Sequence, residues 1–117
     1  MKKNTEQCTL NKLLNNIEKR PGIVGMANNE KRLDYLCYFL NGWFINNKSK
    51  ISARYCKEFA HYIHSWIMRE NKISNIDFSF LWYKMIYKVT ETEEEAWKLF
   101  FKMSYEYIDK LEAEENQ

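Results

Sequence analysis

Two histidines, His61 and His64, sit three residues apart. Imidazoles ligate metals and move protons near neutral pH, so this pair is the first place to look for chemistry. A zinc-binding pair on one helix takes a four-residue spacing with a glutamate beside it, as in HExxH, and that pattern is missing. No carboxylate or cysteine is spaced to complete a ligand set from the same face. The three cysteines, Cys8, Cys37 and Cys56, are odd in number, widely spaced and without a CxxC, so they form neither a disulfide framework nor a zinc site. A thiolate nucleophile needs a base within hydrogen-bond reach. Cys56 and His64 are eight residues apart, about 12 Å along a helix, which is too far. There is no GxSxG, and the scattered glutamates single out no glycosidase-type pair. The residues therefore predict no catalytic site, no metal site and no cofactor. The histidines read as surface or interface residues. Cys37 and Cys56 read as small, reduced core residues.

Carboxylates are the next chemistry-bearing group. Glu91, Glu93, Glu94 and Glu95 form the sharpest like-charge run. Thr92 followed by Glu95 fits a capping box, and acidic residues favour the positive end of a helix dipole. Capping accounts for part of the run and leaves a carboxylate patch beside a loop. Beyond it, Glu94, Lys98, Tyr105, Asp109 and Glu112 recur at helical spacing along what reads as the outward side of the last helix. Carboxylates with a tyrosine make a binding surface for a basic partner. The candidate partner-binding residues are Glu91, Glu93, Glu94, Tyr105, Asp109 and Glu112.

The charge distribution fits that reading. The net charge is +2, but residues 1–57 carry +7 and residues 58–117 carry −5. The acidic half could face a basic partner and the basic half an acidic one. Lys48, Lys50, Arg54 and Lys57, interleaved with Tyr55, resemble the basic face of a nucleic-acid-binding helix. A small helical nucleic-acid-binding regulator is accordingly the alternative reading. A structural or scaffold subunit is the third, and it predicts a homo-oligomer.

These side chains need elements to hold them. At 117 residues the chain is one domain, 1–117, and its 45% hydrophobic share excludes disorder of the whole. No apolar run approaches the length of a membrane span, and no apolar segment of signal-peptide type follows the basic N-terminus, so a cytoplasmic, membrane-free protein is expected. Punctuation is sparse, with one proline and three glycines, and Pro21, Gly22 and Gly25 lie together. Leu10, Leu13, Leu14 and Ile17 predict a first helix over about 9–19, with Thr9 as cap and Pro21 as stop. The glycines of residues 21–25 are too sparse for a phosphate loop and read as a turn. A second helix starts near Asn29 and carries Leu33, Leu36, Cys37, Leu40 and Phe44, and Gly42 allows close packing of a neighbouring helix. A third runs from about Ser52 to Arg69 with Cys56, Phe59, Ala60, Ile63, Trp66 and Ile67 as its apolar stripe. Residues 76–89 are so dense in aromatics that they read as a central element with little free surface, capped by Asp77 or Ser79 if helical, though part could be a strand. The last helix follows Thr92 with Ala96, Leu99, Phe100, Met103, Tyr107 and Leu111, and frays over about 112–117. The fold class is all-α, a single-domain bundle of about five helices with short polar connectors.

Two segments carry a resemblance. One is a helix, then Lys19-Arg20-Pro21-Gly22-Ile23-Val24-Gly25, then a helix reaching Gly42-Trp43. The other is Glu93-Glu94-Glu95-Ala96-Trp97-Lys98-Leu99-Phe100-Phe101 with the later Tyr107. Together they resemble a group of small helical bacterial proteins that includes immunity proteins of contact-dependent growth inhibition and polymorphic toxin systems. The chain departs from the group at Ile23-Val24, where Met-Tyr is usual, so no role of that tyrosine carries over. The resemblance implies a cytoplasmic inhibitor, not an enzyme. It would form a 1:1 complex with the C-terminal domain of a cognate toxin, commonly a basic nuclease, and block its active site. A carboxylate surface suits such a target, because nuclease clefts are built to attract phosphates.

Overall fold

The computed structural model describes residues 5–26, 30–71 and 75–115, with side chains from Thr9 onward. Its α-helices are α1 (Thr5–Lys19), α2 (Leu33–Asn46), α3 (Lys50–Glu70), α4 (Tyr83–Tyr87) and α5 (Glu93–Glu115). A single 3-10 turn, Pro21–Val24, follows α1. No strand occurs among the described residues, and the all-α bundle expected from periodicity is the fold.

The apolar stripes meet in one core. Leu10, Leu14 and Ile17 of α1, Leu36, Cys37 and Leu40 of α2, and Ile63 and Ile67 of α3 have no exposed surface. Phe59 of α3 is the centre of an aromatic cluster. Its ring stacks on Tyr55 at 4.3 Å and meets Trp82 and Phe100 edge-on at 5.6 and 5.8 Å. Stacked and T-shaped pairs of this kind are the favoured arrangements of aromatic quadrupoles. Helices α3 and α5 run antiparallel: Arg54 reaches Glu114 and Glu115, Tyr62 stacks on Tyr107, and Trp66 reaches Glu106.

The ends of the helices show which boundary signals are local. Helix α3 starts at Lys50, capped by Ser49, whose hydroxyl accepts the Ser52 N–H at 3.0 Å. Helix α1 begins a turn before Thr9, which lies inside it, so Thr9 is no cap. Pro21 is buried at the start of the 3-10 turn, and Gly25 closes that turn with φ 93°, its N–H donating to the Gly22 carbonyl at 3.0 Å. A side chain there would also meet the Tyr35 hydroxyl at 2.7 Å, so glycine is required twice over. The tyrosine hydroxyl donates to the Val24 carbonyl at 2.6 Å and pins the turn to α2.

Several expectations are corrected. Helix α2 begins at Leu33, and the Asn29 start lies outside the described residues. Cys56 is exposed, whereas Cys37 is buried as expected. Residues 75–82 have no regular structure, and the helical part of the aromatic segment is confined to α4. Trp82, Met85 and Ile86 are buried there, but Phe80 is 70% exposed, so the segment has more free surface than its density suggested. Neither Asp77 nor Ser79 caps α4. The Ser79 hydroxyl instead closes a local turn by accepting the Leu81 N–H. Helix α5 extends to Glu115, where Arg54 and Lys50 pair with the carboxylates of its last turn.

Candidate functional site

The acidic run stands at the end of the molecule where α2 and α5 begin together. Thr92 caps α5, its hydroxyl accepting the Glu95 N–H at 3.0 Å. The Glu95 carboxylate returns the bond to the N–H of Glu91, one residue before the usual capping-box position. Glu93 turns away from its own helix. Its carboxylate accepts the N–H of Leu33, the first residue of α2, at 3.0 Å, and also the Tyr87 hydroxyl. Glu94 pairs with Lys31 at 2.9 Å and faces Lys98 at 3.9 Å. Those cations hold its carboxyl below the ordinary glutamate value, the Lys31 hydrogen bond foremost. Glu91 is exposed.

A row of tyrosines adjoins this cluster. Tyr87 meets Tyr83 edge-on at 5.8 Å, and Tyr83 meets Tyr38 of α2 at 6.0 Å, with their hydroxyls 3.3 Å apart. Burial pushes the Tyr87 phenol up, and the Glu93 carboxylate it donates to adds to the shift. Nearby, Arg32 binds Asp34 through both its Nε and Nη2, and this pairing holds the Asp34 carboxyl low. Tyrosine and arginine beside fixed carboxylates are the residue types that anchor protein interfaces.

The other half of the predicted acidic surface is arranged differently. Asp109 is exposed fifteen residues beyond Glu94, about 22 Å along the helix. Tyr105, between them, is engaged inside the chain: its hydroxyl lies 2.8 Å from Asn15 Oδ1 and 2.9 Å from Glu18 Oε1 of α1. Burial first, then the Glu18 carboxylate, raises its phenol. Phe101 and Ile108, which share this side of α5, are buried. The side read as outward is therefore the seam that α1 covers in its middle. Glu112 is half-buried toward the C-terminal end of the same helix. The structure thus brings Glu91, Glu93 and Glu94 together and separates them from Tyr105, Asp109 and Glu112. Sequence reading missed Tyr83, Tyr87 and Tyr38 as neighbours of the acidic run. The spacing of Tyr83 and Tyr87, one helical turn, was a usable signal, whereas the approach of Tyr38 was not.

The basic cluster proposed for nucleic acid is partly neutralised by the chain itself. Arg54 lies between Glu58, Glu114 and Glu115 at 3.4, 2.8 and 3.2 Å, and Lys50 reaches Glu115 at 3.4 Å. Lys48 and Lys57 are exposed.

The histidines lie further along α3. His61 stacks on Phe78 at 4.5 Å, and His64 Nε2 is 2.8 Å from the Ile76 carbonyl oxygen. They position the 76–80 segment against α3. No group of His, Cys, Asp and Glu able to hold a metal occurs among the described residues. Burial shifts the Cys37 thiol away from reactivity, up to about 11, whereas Cys56 is exposed. No described helix is long and apolar enough to cross a membrane. No family model matches the chain, and no curated protein or solved structure matches it.

Proposed function

We propose that this protein is an immunity-type inhibitor, which binds the C-terminal domain of a cognate toxin, a basic nuclease, and occludes its active site. The observation that supports the reading most directly is the cluster at the start of α5. Glu93 and Glu94 are held there by bonds to α2 and to the segment before it, and Tyr87 by its bond to Glu93. Groups held in place before a partner arrives lose little freedom on binding, which favours tight association. Exposed Glu91 presents negative charge to a phosphate-binding cleft, Glu94 beside it shares its charge with Lys31 and Lys98, and Tyr87 and Tyr83 supply amphipathic contact area. The resemblance of the Lys19–Gly25 and Glu93–Phe101 segments to immunity proteins supplies the class of partner. The acidic contact is centred on Glu91 and Glu94, and Asp109 stands apart from it, about 22 Å along the helix. Tyr105 acts as a tether of α1.

The test is calorimetry and stopped-flow binding with the toxin domain encoded beside this gene. A 1:1 complex of nanomolar affinity is expected. The double variant Glu91→Lys/Glu94→Lys should associate about tenfold more slowly at low salt, with the difference shrinking as salt rises. Absence of binding at micromolar concentration defeats the inhibitor reading. Binding with unchanged kinetics in the double variant leaves the inhibitor role and moves the contact surface elsewhere.

A further inference from the structure

The start of α3 borders a hollow of about 250 Å³. Thr9 of α1, Trp43 and Asn47 at the end of α2, and Lys48, Ser49 and Ser52 at the start of α3 line it. Ser52 and Ser104 are both buried, at 2% and 0% exposure. The Ser104 hydroxyl shares its hydrogen bond with Tyr55. Ser52 makes its capping bond through the backbone N–H, and its hydroxyl has no partner among the described residues. A buried hydroxyl is as a rule hydrogen-bonded, so one that is not points to a group from outside the chain. Nor is this hydroxyl sealed off. Among the described residues the side-chain polar atom that is both unpartnered and closed to solvent is the Trp97 indole nitrogen. The small surface that Ser52 keeps therefore includes its hydroxyl, which opens into the hollow.

The rest of the lining favours an anion. Helix α3, 21 residues long, brings the positive end of its dipole here. Ser49 accepts the Ser52 N–H with its hydroxyl and the Ala53 N–H with its carbonyl, which leaves the N–H groups of Lys50 and Ile51 without a helical acceptor. Lys48 is exposed and makes no ion pair among the described residues. No carboxylate of the described residues lines the hollow. Glu114 and Glu115 meet α3 through Lys50 and Arg54, each two residues from Ser52 and about 160° round the helix from it. The carbonyls of Trp43 and Phe44, at the negative end of α2, are taken by the side-chain and backbone N–H groups of Asn47. We infer that this hollow binds a phosphate group, free or carried on a small ester. The Lys50 and Ile51 N–H groups, the Ser52 hydroxyl and the Lys48 ammonium donate to its oxygens. Several donors at one point suit a tetrahedral dianion, which accepts through every oxygen. The volume, several times the roughly 30 Å³ share of one water, accommodates it. This inference does not draw on the toxin-binding reading.

Titration of the full chain with inorganic phosphate, followed by amide and indole proton NMR, tests it, with sodium chloride of equal ionic strength as the control. The Lys50 and Ile51 amides and the Trp43 indole N–H should shift together and saturate, with a dissociation constant on the order of 1 mM. Ser52→Ala should raise that constant about tenfold, because it removes a hydrogen bond to a charged group. Lys48→Gln, at an exposed position that leaves folding alone, should raise it about threefold. A parallel titration with adenosine 5′-monophosphate separates the two sources: tighter binding than phosphate assigns the site to esters, and equal or weaker binding assigns it to the free ion. Shifts that match the chloride control overturn the inference and leave water as the partner of Ser52. Saturable shifts centred away from the start of α3 also overturn it. So does parent-like affinity in both variants.

Discussion

Glu93, in the first turn of α5, caps α2: its carboxylate accepts the N–H of Leu33 across 60 positions of sequence. Arg32, which precedes α2, has no side-chain cap to offer. The same carboxylate receives the Tyr87 hydroxyl, so one side chain joins the starts of two helices to α4. A carboxylate at a helix N-terminus gains both a charge-assisted hydrogen bond and the helix dipole. Glu93→Ala should therefore lower stability by about 1 kcal/mol, with Glu93→Gln intermediate. Urea unfolding measures it. Amide exchange at Leu33 should quicken in both variants, and unchanged exchange would contradict the cap.

Tyr55 and Ser104 share a hydrogen bond of 2.7 Å in the core, with both residues almost fully buried. Removing one partner strands the other without water. Tyr55→Phe and Ser104→Ala should each cost about 1–2 kcal/mol, and the double variant should cost less than the two losses added together. A double-mutant cycle by chemical denaturation checks this. Strict additivity would mean the bond contributes nothing.

The glycines should respond in opposite directions. Gly25→Ala places a side chain at φ 93° and against the Tyr35 hydroxyl, and should destabilise by about 1–3 kcal/mol. Gly42→Ala meets open space within a helix and should stabilise the fold by about 0.5–1 kcal/mol. Thermal unfolding compares the two directly.

The tyrosines predict how the fold fails in alkali. Burial lifts the Tyr55 and Tyr107 phenols above their ordinary value of 10.0, and the Glu58 carboxylate that Tyr107 donates to lifts it further. Tyr105 beside Glu18 is shifted in the same direction. The folded chain therefore holds these protons more tightly than the unfolded chain. Their contribution is complete below pH 10 and is lost as pH rises past 10 toward the folded values. Phenolate absorbance and far-ultraviolet dichroism should change together in one cooperative transition above pH 10. Ionisation of all the tyrosines near 10 with the helices intact would contradict this.

At its other end α5 depends on α3. Arg54 binds Glu114 and Glu115, and the helix remains ordered through Glu115. Arg54→Ala should speed amide exchange over 111–115 while the core of α3 keeps its protection. High salt should reproduce the effect in the parent chain, since these pairs are exposed enough to be screened. Equal protection in both proteins would assign the order of this turn to local propensity.

The sequence by itself determined the helical class and most of the core. Apolar residues at three- and four-residue steps put Leu10, Leu14, Leu36, Leu40, Phe59, Ile63, Phe100 and Tyr107 on buried faces, because a helix can bury only one stripe against its neighbours. Two caps were also legible, Thr92 at α5 and the turn glycine at Gly25, since both act within a few residues. What lay beyond a helical turn was decided by tertiary structure. The start of α2 follows from Glu93, which is distant in sequence. The last turn of α5 meets Lys50 and Arg54 of α3, partners that are distant in sequence. The middle of the acidic α5 face is an internal seam because Phe101 and Ile108 turn toward the core beside Tyr105 and α1 packs there, which a list of charged positions does not reveal. The surface that remains, Glu91 and Glu94 beside Tyr83 and Tyr87, exists only because α2, α4 and α5 meet at one end. A pattern read along one chain reports its own faces; which of them meet is set by packing among all the helices at once.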